Sequence, residues 1–417
     1  MKNIFGEVKV QSMKNYDLAI VGGCSAGLAA AISAKRNYPD MSVAIIEKLP
    51  RIGKKLLATG NGKCNITNLE ALEHNYVNKG FAQFALKKYS PQTVTEFFAS
   101  LGLITYTDSC FRVYPESNTA ASVTDALRFE LERLGVTVIC DMPVTEIKKS
   151  KNGFEINGKI FCGKLIVSAG GKSSAPQGSD GSGFKLAEKL GHTVTETVPA
   201  LVPLCASPEI TRQIKGVRAR NVALTLKGEK VLAKTNGEIL FTDYGLSGIA
   251  AMELAAPAQK YINRVKQNPF THIDFLPDMP YDELMDYLQN LSKIKGFCTM
   301  EHLLTGILPK AIGIAICKVC NLYDADAEIS ALSHKDMRCI AEKIKDFPLE
   351  VTGTKGFLNA QVTSGGIKTS EINEETMESK ICKNLYFAGE IIDVDGGCGG
   401  FNLQWAWSSG MLAGELK

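Results

Sequence analysis

Residues 16–47 impose the tightest constraint on what this chain can fold into. Residues 16–21 read as a buried strand that is apolar from Leu18 on, 22–27 are rich in glycine, 28–36 are alanine-rich and 42–46 read as a second buried strand. A strand, a turn, a helix and a second strand within about 30 residues make a β-α-β unit, the form taken by parallel sheets. The sequence predicts a doubly wound α/β domain opening at residue 14.

The turn consists of Gly22, Gly23, Cys24, Ser25, Ala26 and Gly27. Placed between a strand and a helix, it lets a dinucleotide pyrophosphate approach backbone N–H groups and the positive helix end. Glu47, at the end of the second strand, can accept both hydroxyls of an adenosine ribose. Cys24 departs from the usual middle glycine of G-x-G-x-x-G, and its small side chain suits packing better than reactivity.

After Lys48, residues 51–68 contain Gly53, Lys54, Lys55, Thr59, Gly60, Asn61, Cys64 and Asn65. Such basic, glycine-rich chain can wrap a diphosphate and ribityl chain, and its composition is equally compatible with a solvated loop. Ala169, Gly170 and Gly171 follow the apolar run 165–167. Gly389 and Glu390 follow the run 384–388, and Gly399, Gly400, Phe401 and Asn402 lead into a last helix predicted over 403–416. Its N-terminus would suit an anionic reduced flavin.

The 417 residues suggest two or three compact units, and 45% hydrophobic with 22% charged residues excludes disordered, collagenous and coiled-coil chains. With 47 basic against 44 acidic side chains, no global field draws the protein to a polyanion, so nucleic acid is not the expected partner. Twelve cysteines without a secretory pattern point to free thiols and a cytoplasmic location. Residues 18–34 are uncharged but too short and too rich in glycine to span a membrane. The first dozen residues read as a tail, with Met13 an alternative start.

Residues 144–167 carry Asn152-Gly153 and Asn157-Gly158, the dipeptides of tight hairpins. An antiparallel meander at that place is the crossover of flavin-binding doubly wound domains, which favours FAD over NAD as the resident group. The expected organisation is an FAD-binding domain over 14–195 and 363–417, interrupted by a β-rich substrate domain over 196–277 and 346–362. That second domain carries a helical insert over 278–345, with helical faces in 281–344, and β pattern resumes over 351–367.

Other features are set aside. Cys317 and Cys320 form a C-x-x-C without a second pair at zinc spacing, so neither a metal nor dithiol chemistry is assigned. Cys398 reads as packing, and the five histidines show no metal or triad spacing. Arg112, Tyr114 and Tyr244 are the candidates for facing a substrate, since arginine can hold a carboxylate and tyrosine can donate a proton.

Several segments together resemble the BaiN/RdsA family of NAD(P)/FAD-dependent oxidoreductases over nearly the whole chain after Met13. They run from Gly53 to Asn65, from Arg112 to Pro115, from Gly170 to Ser173, from Phe241 to Gly248 and from Gly399 through Gln404, Trp405 and Trp407. The resemblance implies FAD lined by the glycine turns and loops above, a β-barrel-like domain with a helical insert, and NAD(P)H as a transient electron donor. It also implies a small-molecule substrate: an activated C=C, as in a bile-acid-like enone, or alternatively a small amine such as aminoacetone oxidised with oxygen. A flavin-binding RNA-associated protein is the third reading.

Overall fold

The structure, a computed structural model, describes residues 13–322, 324 and 327–417; the tail expected over residues 1–12 lies outside them. The chain divides into two compact units. One holds the described residues up to Thr197 together with Val362–Lys417, and the other is Val198–Gln361.

The first unit is built on the predicted β-α-β start: β1 (Lys14–Val21), α1 (Ser25–Asn37) and β2 (Val43–Ile46). Further strands are β3 (Thr137–Ile139), β4 (Ile147–Lys149), β5 (Phe154–Ile156), β6 (Ile160–Val167) and β7 (Leu385–Phe387). The sheet order is β3-β2-β1-β6-β5-β4, with β7 also paired to β6. β3, β2, β1, β6 and β7 run parallel, whereas β4, β5 and the start of β6 form the antiparallel meander expected from the two Asn-Gly steps. Asn157 and Gly158 both take positive φ, as a two-residue hairpin turn of this type requires.

The second half of β1 and all of β2 are apolar because neither face meets water there: Leu18–Ile20 and Ala44–Ile45 are fully buried, whereas Lys14, Asn15 and Asp17 at the start of β1 are exposed. α1 starts at Ser25, earlier than the alanine run alone indicates. Its small side chains admit α2 (Phe401–Ala413), and a Cβ at Gly410 of α2 would stand 2.4 Å from the Ala26 carbonyl oxygen. α2 begins two residues before the predicted start, because Gly400 in the left-handed region already caps it. The C-terminal ends of β1, β2, β6 and β7 lead directly into the glycine turn, Glu47, Ser168 and Ala388. In open parallel sheets that edge is where ligands bind.

The second unit contains a closed six-strand barrel, in the order Leu204–Ala206, Gly245–Ser247, Val231–Thr242, Arg218–Lys227, Phe270–Asp274 and Phe347–Thr354. Closure leaves no unpaired strand edge. Between its last two strands lie the helices Tyr281–Lys295, Lys310–Val319 and His334–Lys345, with Leu284, Leu288 and Leu291 buried as their helical spacing predicts. The β pattern expected over 351–367 is interrupted by a helical turn, Gly356–Asn359. Among the described residues no helix is long and apolar enough to cross a membrane.

Candidate functional site

The glycine turn after β1 is shaped by close backbone approach. Gly22 has φ +109°, and a Cβ at Gly27 would lie 2.0 Å from the Gly22 carbonyl oxygen, so only glycine lets the helix start this near the strand. Cys24 is the N-cap of α1 with ordinary extended φ of −117°, and its side chain makes no capping bond. The first-turn N–H groups of α1, including those of Ser25 and Ala26, therefore receive no acceptor from the N-cap side chain.

Glu47 is buried, and its two oxygens are engaged: Gly23 N–H donates to Oε2 (2.8 Å) and Leu49 N–H to Oε1 (2.9 Å). The carboxylate thus braces the glycine turn and retains lone pairs for a further donor, a bracing role that sequence spacing did not reveal. Lys48 pairs with Asp180 at 2.7 Å. Burial works to raise the Asp180 pKa, but Lys48 and Ser182 outweigh it and hold the group at about 2.

The loop after β2 returns to the turn, with Gly53 N–H donating to the Gly23 carbonyl at 2.7 Å. Lys54 is half-buried. Lys55 Nζ lies 2.7 Å from Glu390 Oε2, while Glu390 Oε1 accepts the Thr363 N–H at 2.8 Å. Thr363 Oγ1 in turn accepts the N–H groups of Lys172 and Ser173, just after Gly170 and Gly171. Four segments far apart in the chain, around Lys55, Lys172, Thr363 and Glu390, are so joined through one carboxylate and one hydroxyl.

Gly60 and Asn61 take left-handed conformations, the Cys64 N–H donates to the Thr59 carbonyl, and burial pushes the Cys64 thiol up to about 12. Asn65 stands out: its Oδ1 is buried with no hydrogen-bond partner among the described residues. A Cβ at Gly400 (φ +103°) would come within 2.9 Å of that oxygen and 2.6 Å of the Thr67 carbonyl carbon. Gly400 caps α2 with no side-chain cap, so backbone and an orphan acceptor share one recess. Asn402 closes the adjoining loop, accepting from Gly396 N–H and donating to the carbonyls of Gly396 and Gly397. The Tyr76 hydroxyl donates to the Phe401 carbonyl.

Arg112 and Tyr114 share the strand Arg112–Pro115 beside this recess: Tyr114 Cε1 would be 3.4 Å from a Cβ at Gly60, and Arg112 Cδ 3.9 Å from one at Gly399. Asp108 fixes Arg112, Oδ2 accepting from Nε and from Nη2, each at 2.8 Å, while Oδ1 accepts the N–H groups of Cys110 and Arg112. Burial raises the Tyr114 pKa, partly offset by Arg112. Tyr244 belongs to the second unit, beyond the strand Val231–Thr242, with the Lys355 ammonium 4.7 Å from its ring centroid.

Sequence reasoning missed Thr363, Asp108 and Thr67. Thr363 carries a signal in hindsight, since Thr363-Ser364-Gly365-Gly366 pairs small polar residues with glycines as at 170–173. The Gln404, Trp405 and Trp407 cluster turns out to be a set of staples. Trp405 Nε1 donates to the Gly389 carbonyl, Trp407 Nε1 to that of Ile66, and Gln404 Oε1 accepts from Thr67 Oγ1.

A family model described as HI0933-like protein Rossmann domain matches residues 16–416. A 3-dehydro-bile acid delta(4,6)-reductase of Clostridium scindens is 38% identical over 403 residues, covering 95% of this chain and 98% of that protein. Ribosomal RNA dihydrouridine synthases of Escherichia coli and Haemophilus influenzae are each 28% identical, covering 95% and 94% of this chain and 96% and 95% of their own lengths.

Proposed function

The chain belongs to the HI0933-like Rossmann family, and from that premise we propose an FAD-dependent reductase that saturates a C=C bond conjugated with a carbonyl. The preferred substrate class is an apolar enone of the 3-oxo-Δ4 steroid-acid kind. The observation that carries the cofactor assignment is the partnerless, buried Oδ1 of Asn65 beside the uncapped start of α2. An orphan acceptor in a buried site costs about 1–3 kcal/mol unless a donor arrives from outside the protein. The names of the relatives support the bond change, since a Δ4,6-reductase and a dihydrouridine synthase each add two hydrogens to a carbonyl-conjugated C=C.

The residues fit such a group. Gly22, Gly23 and the N–H groups of Cys24, Ser25 and Ala26 would hold the pyrophosphate, and Glu47 the adenosine ribose. Lys54, Lys55, Thr59, Gly60, Asn61 and Asn65 would line the ribityl and ring system, with Ala169, Gly170, Gly171, Gly389, Glu390, Gly399, Gly400, Phe401 and Asn402. Bound there, FAD would supply a two-electron carrier, accepting hydride from a transient NAD(P)H and returning it through N5. Arg112, oriented by Asp108, would anchor a substrate oxygen or carboxylate. Tyr114 or Tyr244 would deliver the proton that completes reduction.

Ribosomal RNA is the second reading, favoured by the two relatives at 28% identity. The near-balanced charge of 47 basic to 44 acidic side chains works against it. Anaerobic mixing with NADH or NADPH should bleach the flavin absorbance, and a 3-oxo-Δ4 steroid acid should restore it. Reoxidation by unmodified ribosomal RNA alone would transfer the assignment to uridine, and peroxide release with aminoacetone would make the protein an amine oxidase. Protein that stays colourless after FAD reconstitution would end the flavin reading.

A further inference from the structure

The helical insert of the second unit brings together two cysteines that sequence spacing does not pair. Cys320 caps the C-terminus of the helix Lys310–Val319, and Cys339 lies in the helix His334–Lys345. Their sulfurs are 2.6 Å apart. Two unbonded sulfurs normally stay well over 3 Å apart, and a disulfide bond measures about 2.05 Å, so this pair stands much nearer to bonding than to ordinary packing. Both residues are half-buried and open to a small oxidant. The C-x-x-C partner of Cys320, Cys317, is instead fully buried among the apolar side chains of the insert. The partner of Cys320 is therefore Cys339, and the C-x-x-C spacing is incidental.

We propose that Cys320 and Cys339 form a reversible dithiol–disulfide site, oxidised by hydrogen peroxide. Burial and the neighbouring Cys339 hold the Cys320 thiol above its usual range; either sulfur of the touching pair can act first, and the balance is the same when written from Cys339. Its sulfur attacks one peroxide oxygen, the O–O bond breaks and water leaves, giving a sulfenic acid at Cys339. The Cys320 sulfur then attacks that sulfur, the S–S bond forms, the S–O bond breaks and a second water leaves. Each thiol gives up one proton and one electron, and the peroxide takes up both electrons. The crosslink joins the end of one insert helix to another, and thiol reductants reverse it.

The site is independent of the proposed activity, so its test needs no substrate. The full-length protein is treated with a small excess of hydrogen peroxide, denatured, alkylated and digested. The expected product is a Cys320–Cys339 crosslinked peptide that disappears with dithiothreitol, persists in C317S and is absent from C339S. In C320S, dimedone should trap a sulfenic acid at Cys339. A Cys317–Cys320 crosslink would overturn the proposal. So would oxidation confined to the exposed Cys110 while Cys320 and Cys339 of the wild-type protein are both still alkylated. Because the crosslink is mapped first in the wild-type chain, poor folding of a variant does not blur the outcome.

Discussion

The Lys55 ammonium lies 2.7 Å from Glu390 Oε2 although 335 residues separate them in the chain. Both side chains are about one-fifth exposed, so the pair is screened by water less than a surface ion pair and holds two loops at one place. Glu390 also accepts the Thr363 N–H, whereas among the described residues the polar contact of the Lys55 ammonium is with Glu390 alone. E390A should therefore weaken FAD binding more than K55A, by about tenfold to a hundredfold against a few-fold. Quenching of flavin fluorescence on titration into the apoprotein measures both, and equal losses would show that the Thr363 contact is unimportant.

Gly410 and Gly62 separate two reasons for a glycine. A Cβ at Gly410 meets the Ala26 carbonyl oxygen at 2.4 Å, and backbone cannot give way as a flexible side chain can. At Gly62 the φ is +84° but nothing lies within 4 Å. G410A should therefore lose about 2–4 kcal/mol by forcing α1 and α2 apart, and G62A only about 1 kcal/mol through backbone strain. Urea denaturation of the two variants beside the wild type tests the order, which a larger loss in G62A would reverse.

Stability should fall in alkaline solution. Burial pushes the thiols of Cys64 and Cys162 up to about 12 from an ordinary 9.0. Above pH 9 the unfolded chain releases these protons while the folded chain keeps them, so unfolding is favoured as pH rises. The stabilisation is complete below pH 9 and is lost progressively up to about pH 12, at a limit of about 1.4 kcal/mol per pH unit for each thiol. Denaturant midpoints measured from neutral pH upward should decline, and C162A should show a shallower decline than the wild type.

The parts of the site that were legible in the sequence are those set by neighbours in the chain. Gly22, Gly23, Gly27 and Glu47 belong to one β-α-β unit, and the doubly wound class follows from their spacing. The meander was readable because Asn157-Gly158 states its own turn geometry. What stayed hidden depends on pairs brought together only by folding, such as Trp407 with the Ile66 carbonyl, 341 residues away. A tryptophan in an apolar helix looks the same in sequence whether or not its N–H pins a distant loop. Thr363 and the Cys320–Cys339 contact escaped for the same reason, since no local period encodes either.

On the proposed reading, Tyr114 and Arg112 should affect only the second half of the reaction. Arg112 has its Nε and Nη2 committed to Asp108, a geometry that presents the guanidinium in one orientation. Y114F should leave flavin reduction by NAD(P)H unchanged and slow reoxidation by the enone about 100-fold, the usual scale for removal of a general acid. D108N should instead raise KM with little change in kcat, because it loosens the anchor without touching the proton. Stopped-flow separation of the two half-reactions distinguishes these effects, and an unchanged reoxidation rate in Y114F would move the proton donor to Tyr244.

Asn65 gives the sharpest test, because stability and cofactor binding should respond in opposite directions. Its Oδ1 is buried without a donor among the described residues, a state that costs about 1–3 kcal/mol. Alanine removes that acceptor and adds no bulk, and losing the orphan offsets the lost packing, so N65A should leave the apoprotein as stable as the wild type or more so. The same change deletes an acceptor that an N–H or O–H of bound FAD would satisfy, so affinity should fall at least about tenfold, or 1.4 kcal/mol. An Asn65 that served only to pack the fold would show the reverse pattern, with lower apoprotein stability and unaltered FAD affinity. Thermal unfolding of the apoprotein together with FAD titration of the same preparation decides between the two.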